Sequence, residues 1–250
     1  MKKAFSEKYK SKEKEVLSIL NSFENNGESV GKGDRNVIKI FPLGEQEINI
    51  KSFKVPNLIN KVVYNFFRKS KAERSFLNAS YLLSNNIGTP YPVAFMEESN
   101  SLFFGKSYYI SEHQDVDLTY RELVENANYP DRENILRQFT TFTHKLHENR
   151  ILFKDHSPGN TLIKKEENGY QFYLVDLNRM DFKDLSFQER IKNFSRLSPH
   201  KEMVAIMSDE YAKITGKPYG KVFGLMWGLT KKFQMKFHRK RELKKKLKLK

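Results

Sequence analysis

Three polar residues, Asp155, Asn160 and Asp176, stand in the stretch ILFKDHSPGNTLIKKEENGYQFYLVDLNR, which runs from Ile151 to Arg179. Their types suit phosphoryl transfer. That reaction asks a protein for a carboxylate to orient an acceptor hydroxyl and for two oxygen ligands to hold Mg²⁺ against nucleotide phosphates. Asp155 fits the first task, as catalytic base, and Asn160 with Asp176 fits the second, as metal ligands. The elements that position them must be extended and apolar, and Thr161 to Ile163 and Phe172 to Val175 read as such strands. An acidic residue at the end of a hydrophobic strand, as Asp176 is, would be costly there without a partner.

The flanking elements follow from periodicity. Glu13 to Phe23 places Val16, Leu17, Leu20 and Phe23 at helical spacing. Gly31 and Gly33 interrupt two strand-like stretches. A hairpin there would lay backbone N–H groups over phosphates, although two glycines near a turn commonly mark only the turn. INIKSFK alternates from Ile48 and puts Lys51 on a strand. A long helical region from Asn57 to about Asn85 aligns Ala72, Phe76, Ala79 and Leu83 and carries one acidic residue, Glu73. Pro90 and Pro92 end it. Val93 to Glu97 and Ser107 to Ser111 are expected strands, and the polar Ser111 to Asp117 a hinge whose backbone near Glu112 and His113 would bind adenine.

From Arg132 to Asn149, Ile135, Phe139, Phe142 and Leu146 define a helix leading into the stretch around Asp155. His144 and His147 on that helix lack a third ligand nearby and read as packing residues. Ser186 to Leu197, Lys201 to Thr215 and Lys221 to Lys236 are further helices, separated by Pro199 and Pro218, with Trp227 expected in the core. This gives an α+β chain. Residues 1–111 form an N-lobe of antiparallel sheet plus helix, residues 112–230 a mainly helical C-lobe, and residues 231–250 a basic tail.

The chain has 250 residues, no cysteine and a net charge of +15, so it can bury a full core without disulfides. From Lys231 to Lys250, nine Lys and two Arg against one Glu carry +10 of that charge. The basic N-terminus lacks the apolar core of a signal peptide and no run is long enough to span a bilayer, which predicts a cytoplasmic protein. The tail suits an anionic membrane, a nucleic-acid arm or a solvated helix.

Asp-x4-Asn followed by a strand ending in Asp is the spacing of a kinase catalytic loop and its metal-binding aspartate. The sequence resembles a protein-kinase-like fold and, more closely, the lipopolysaccharide core kinases, the Kdo and heptose kinase family of Gram-negative bacteria, in a Bacteroidetes-type form. The resemblance spans about Gly31 to Leu197 and rests on FKVPNLIN (Phe53 to Asn60), NNIGTPYPVA (Asn85 to Ala94), KDHSPGNTL and LVDLNRM. It implies a bilobal fold and ATP-dependent, Mg²⁺-assisted phosphorylation of a sugar hydroxyl of the lipopolysaccharide inner core, with Kdo-lipid A as acceptor. Lys51 would contact the α- and β-phosphates, Glu73 would hold Lys51, Asp155 would be the base, and Asn160 and Asp176 would bind the metal.

The departures from the kinase pattern are informative. Phe153-Lys154-Asp155 stands where many kinases have His-Arg-Asp, so Phe would fill the volume of that His and lose a polar tether. Asp176-Leu177-Asn178 stands for Asp-Phe-Gly, with Asn178 able to adopt a left-handed backbone. Ser157 replaces the Lys that Ser/Thr protein kinases carry two residues after the base, and no Ala-Pro-Glu follows Asp176; both disfavour a peptide substrate. The rival readings are another small-molecule kinase of this fold, a nucleotide-binding pseudokinase and a basic nucleic-acid-binding protein. The last is disfavoured because no aromatic-basic interleaving recurs along the chain, so no nucleic acid is expected as partner. The tail would give the enzyme a peripheral place on the cytoplasmic face of the inner membrane.

Overall fold

The computed structural model describes residues 2–30, 36–53, 69–100 and 103–247. They form two compact units: Met1–Asp115 with Asp176–Asn178, and Val116–Val175 with Arg179–Lys250. Gly31, Gly33 and residues 54–68, which include most of FKVPNLIN and the first part of the expected long helix, lie outside the described residues.

The first unit is built on a six-stranded antiparallel sheet. Its strands are β1 (Lys2–Phe5), β2 (Glu28–Val30), β3 (Asn36–Leu43), β4 (Gln46–Phe53), β5 (Pro92–Asn100) and β6 (Phe103–Glu112), in the order β1-β5-β6-β4-β3-β2. Side chains alternate across a strand, so each strand supplies both faces. On one face Ile48 and Ile50 of β4, Ala94 and Met96 of β5 and Ile110 of β6 pack with Tyr9, Val16 and Phe23. Those last three come from a 3-10 turn (Glu7–Lys12), the helix α1 (Glu13–Asn21) and the residues after it. On the other face Phe53 of β4 and Phe95 of β5 meet Ala72 and Phe76 of α2 (Lys71–Ser84). Ser70 caps α2 by accepting from the Glu73 N–H at 3.0 Å. Leu82, rather than Leu83, continues the buried stripe of this helix.

The second unit is mostly helical. It holds α3 (Tyr120–Glu125), α4 (Arg132–Glu148), α5 (Phe187–Asn193), α6 (Lys201–Thr215) and α7 (Tyr219–Lys246). Ile135, Leu136 and Phe139 of α4 pack with Met203, Met207 and Tyr211 of α6 and Val222 and Met226 of α7. Trp227 joins this core only partly buried. Gly216 closes α6 in a left-handed conformation at φ +64°, the usual glycine stop. Helix α7 shows no break at residue 231, where charge alone marks off a tail: Lys, Arg, Leu and Glu are good helix formers and simply continue it.

Two small ladders complete this unit. The strand β7 (Leu118–Thr119), β9 (Thr161–Glu166) and β10 (Gly169–Leu174) form one sheet, and β8 (Ile151–Phe153) pairs antiparallel with β11 (Met180–Phe182). In the second, Phe153 is opposite Met180. That register matters for the site because Lys154 and Asp155 leave β8 where Arg179 enters β11.

Candidate active site

In the first unit, the alternation that sends Ile48 and Ile50 inward on one face of β4 puts Lys51 on the face covered by α2. Lys51 Nζ donates to Asp176 Oδ1 at 2.7 Å. Asn178 Nδ2 donates to the same oxygen, also at 2.7 Å. Asp176 itself adopts φ +60°, so the left-handed residue of the Asp-Leu-Asn turn is the aspartate and not, as the sequence suggested, Asn178. Asp tolerates this region better than most residues because its short side chain bonds locally. The turn is held from α2, where the buried Asn78 donates Nδ2 to Leu177 O at 2.7 Å. A non-glycine residue in this region is costly and persists here because the surrounding contacts fix it.

Glu73 is buried, but its partner is Lys2, whose Nζ lies 2.6 Å from Oε2. The expected Lys51–Glu73 pair is therefore replaced by two others, Lys2–Glu73 and Lys51–Asp176. The reason is β1, a strand that the sequence pattern does not reveal. It adds to the edge of the sheet beside β5 and carries Lys2 to the start of α2. At the other end of the sheet, the N–H groups of Glu112 and His113 donate to Tyr91 O and Glu47 O, each at 2.8 Å. The Glu112 carboxylate accepts from Lys8 Nζ at 2.6 Å and Tyr9 O–H at 2.8 Å. Neither backbone N–H is left for an adenine.

In the second unit, Asp155 follows β8 and Asn160 closes a single 3-10 turn, Pro158–Asn160. Asn160 Nδ2 donates to Asp155 O at 2.8 Å, which directs its amide oxygen away from that bond. The Val175 N–H donates to Asn160 O at 3.0 Å. The next residue in the chain is Asp176. The largely buried Asp155 carboxylate meets two guanidinium groups, Arg196 Nη1 at 2.9 Å from Oδ1 and Arg179 Nε at 3.4 Å from Oδ2. Arg196 Nη1 also donates to Lys154 O at 2.8 Å, while Arg196 lies over the Phe233 ring of α7. A third arginine reaches the same loop: a Cβ on Gly159 would meet Arg121 Nη2 at 2.7 Å, so glycine here allows the guanidinium to lie on the backbone.

The polar tether expected to be lost with Phe153 is supplied from elsewhere. Asn193 of α5 donates Nδ2 to Phe153 O at 2.8 Å. Its Oδ1 is 3.2 Å from His147 Nε2, whose Nδ1 is 2.9 Å from Tyr211 O–H. His147 is thus a buried packing histidine, and burial pushes its pKa down to about 4. His156, also fully buried and against the rings of Phe139 and Phe153, is pushed down to about 3 by the same cause. Among the described residues no cluster of His, Cys, Asp and Glu holds a metal by itself.

Sequence reasoning singled out Asp155, Lys51, Asn160 and Asp176 but missed Lys2, Asn78, Arg179, Asn193 and Arg196. Arg179 stood inside the quoted LVDLNRM, and β11 pairing with β8 would have aimed it at Asp155. Nothing in NFSRLSPH singled out Asn193 or Arg196.

The chain is similar to known proteins over most of its length. The sequence profile of the lipopolysaccharide kinase (Kdo/WaaP) family matches residues 46–216. Among solved structures, "WaaP in complex with acyl carrier protein" matches with a TM-score of 0.65 and 11% identity, covering 94% of this chain and 99% of that one. No curated protein sequence matches this one. The structural likeness carries the protein-kinase-like fold.

Proposed function

The chain belongs to the lipopolysaccharide kinase (Kdo/WaaP) family, and from that premise we propose that it transfers the γ-phosphoryl group of ATP to a Kdo or heptose hydroxyl of the lipopolysaccharide inner core. The observation that carries this reading is the Lys51–Asp176 pair at 2.7 Å, 125 residues apart in sequence and set on a left-handed turn. Lys51 would leave Asp176 for the α- and β-phosphates. Asp176 and the amide oxygen of Asn160 are hard oxygen donors that fit Mg²⁺. That ion, when bound, would offset the charge of the phosphates.

Asp155 is the base of this reading. Arg196 fixes its Oδ1, and Oδ2, with the longer contact to Arg179, is the oxygen that would accept the hydroxyl proton. With their N–H groups engaged, Glu112 and His113 leave adenine recognition by backbone donors to residues further along. The basic end of α7 would bring the enzyme to an anionic membrane that presents its acceptor, at the cytoplasmic face of the inner membrane.

The test is Asp155→Asn. Asn keeps an oxygen for Arg196, and Arg196 keeps Lys154 O, so the fold should hold. Turnover of ATP with an inner-core acceptor is expected to fall by about 10² to 10⁴, the usual contribution of a positioned base. Wild-type turnover in this variant would remove Asp155 from the mechanism.

A further inference from the structure

The base is surrounded by more positive charge than proton abstraction uses. Arg196 is built into the fold: it bonds Lys154 O and Asp155 Oδ1 and lies over Phe233. Arg179 differs. Its side chain is 61% exposed and its one contact to Asp155 is 3.4 Å, beyond a good N–H···O bond. Its backbone, by contrast, is fixed, because Arg179 O accepts from the Lys154 N–H at 3.0 Å at the mouth of the β8–β11 ladder. Arg121, also exposed and 3.9 Å from Glu125 Oε1 on its own helix, lies on Gly159 in the same loop.

A hydroxyl that gives its proton to Asp155 Oδ2 must approach where Arg179 now rests. The exposed guanidinium then turns either to water or to an anion that the acceptor itself brings. An acidic group on the acceptor supplies that anion, because a guanidinium matches a carboxylate or phosphate with two parallel N–H donors. We propose that Arg179 is a specificity-determining residue that binds an anionic substituent of the acceptor, so that the preferred substrate is a sugar already carrying a carboxylate or phosphate near the reacting hydroxyl. The proposal rests on the kinase reading for its acceptor, and Arg179 trades Asp155 for the substrate anion on binding. Arg121 lines the same loop as a second cation.

The experiment compares wild type with R179A and R179K on three forms of an inner-core glycolipid bearing Kdo: native, carboxyl-methylated and phosphatase-treated. Binding is measured calorimetrically without nucleotide, and acceptor KM with saturating Mg-ATP. R179A is expected to weaken binding and raise acceptor KM about tenfold or more, as loss of a charge-assisted bond would, with KM for ATP unchanged. R179K should recover only part, since it lacks the two-pronged geometry. Whichever treatment removes the recognised anion should weaken wild type equally and R179A no further, which tells carboxylate from phosphate. Equal binding of native glycolipid by wild type and R179A, or equal penalties for modified glycolipids in both, would overturn the proposal. A wild type that binds the native form through Arg179 but phosphorylates none would instead overturn the kinase reading.

Discussion

At the scale of single residues, the site turns on which acid each lysine holds. Glu73 stands where a helical carboxylate would grip the strand lysine, yet Lys2 occupies it and Lys51 rests on Asp176. Lys51→Met and Lys2→Met are therefore expected to separate. The first removes the ammonium proposed for the phosphates and should lower kcat/KM for ATP about ten- to a hundredfold, the worth of a charge-assisted hydrogen bond. The second leaves Glu73 buried without its cation and should lower the melting temperature while leaving KM for ATP within about twofold, because an ion pair with one exposed partner contributes little beyond local stability. Matching kinetic losses in both variants would place Glu73, through Lys2, in the nucleotide machinery. Which acid each lysine takes was not legible in the sequence. Composition identifies a helical Glu and a strand Lys, but their partners depend on a four-residue edge strand too short to announce itself by alternation.

At the scale of elements, α4, α5 and α6 share one buried polar line, Tyr211–His147–Asn193–Phe153 O, that ends at the strand before Asp155. His147 is neutral in the folded chain because burial lowers its pKa to about 4, whereas in the unfolded chain it titrates near the ordinary 6.5. The unfolded state thus binds the extra proton first. Stability is full above pH 6.5 and is lost as pH falls to about 4, by roughly 3 kcal/mol for this one group. The melting temperature of wild type should fall more steeply over that window than that of His147→Asn; parallel slopes would show that the line is not where the acid sensitivity resides. Some of the helices were plain in the sequence: Lys201–Thr215 emerges with the bounds expected between its flanking prolines, and Arg132–Glu148 differs by one residue at its end. Others were not: the extended Ser70 starts α2 afresh inside the expected Asn57–Asn85 helix, the expected Ser186–Leu197 helix divides into α5 and a 3-10 turn (Phe194–Arg196), and the last helix runs Tyr219–Lys246 rather than Lys221–Lys236. What periodicity does not carry is the pairing of three-residue strands. β8 and β11 are non-local, and their register, not any propensity, aims Arg179 at Asp155.

At the scale of the whole molecule, the distribution of charge matters more than its sum. Of the net +15, two thirds belongs to the last 20 residues, and most of these continue α7 as an exposed helix through Lys246. Exposed Met235, Phe237, Leu243 and Leu247 are interspersed among its lysines and arginines. Among the described residues no helix is long and apolar enough to cross a membrane, α7 included. Charge attracts such a helix to an anionic leaflet at about 1 kcal/mol per basic residue near the surface, and the apolar side chains add burial in the headgroup region. Removal of residues 238–250 takes away eight Lys and Arg but keeps Phe233, the ring beneath Arg196, so the support of Asp155 is spared. The truncated chain is expected to lose co-sedimentation with vesicles rich in anionic lipid. The full chain should bind neutral vesicles weakly and release anionic ones as salt rises, because screening shortens the reach of surface charge to about 8 Å at physiological ionic strength. Unchanged sedimentation of the truncated chain would leave the basic helix no part in holding a membrane-bound acceptor.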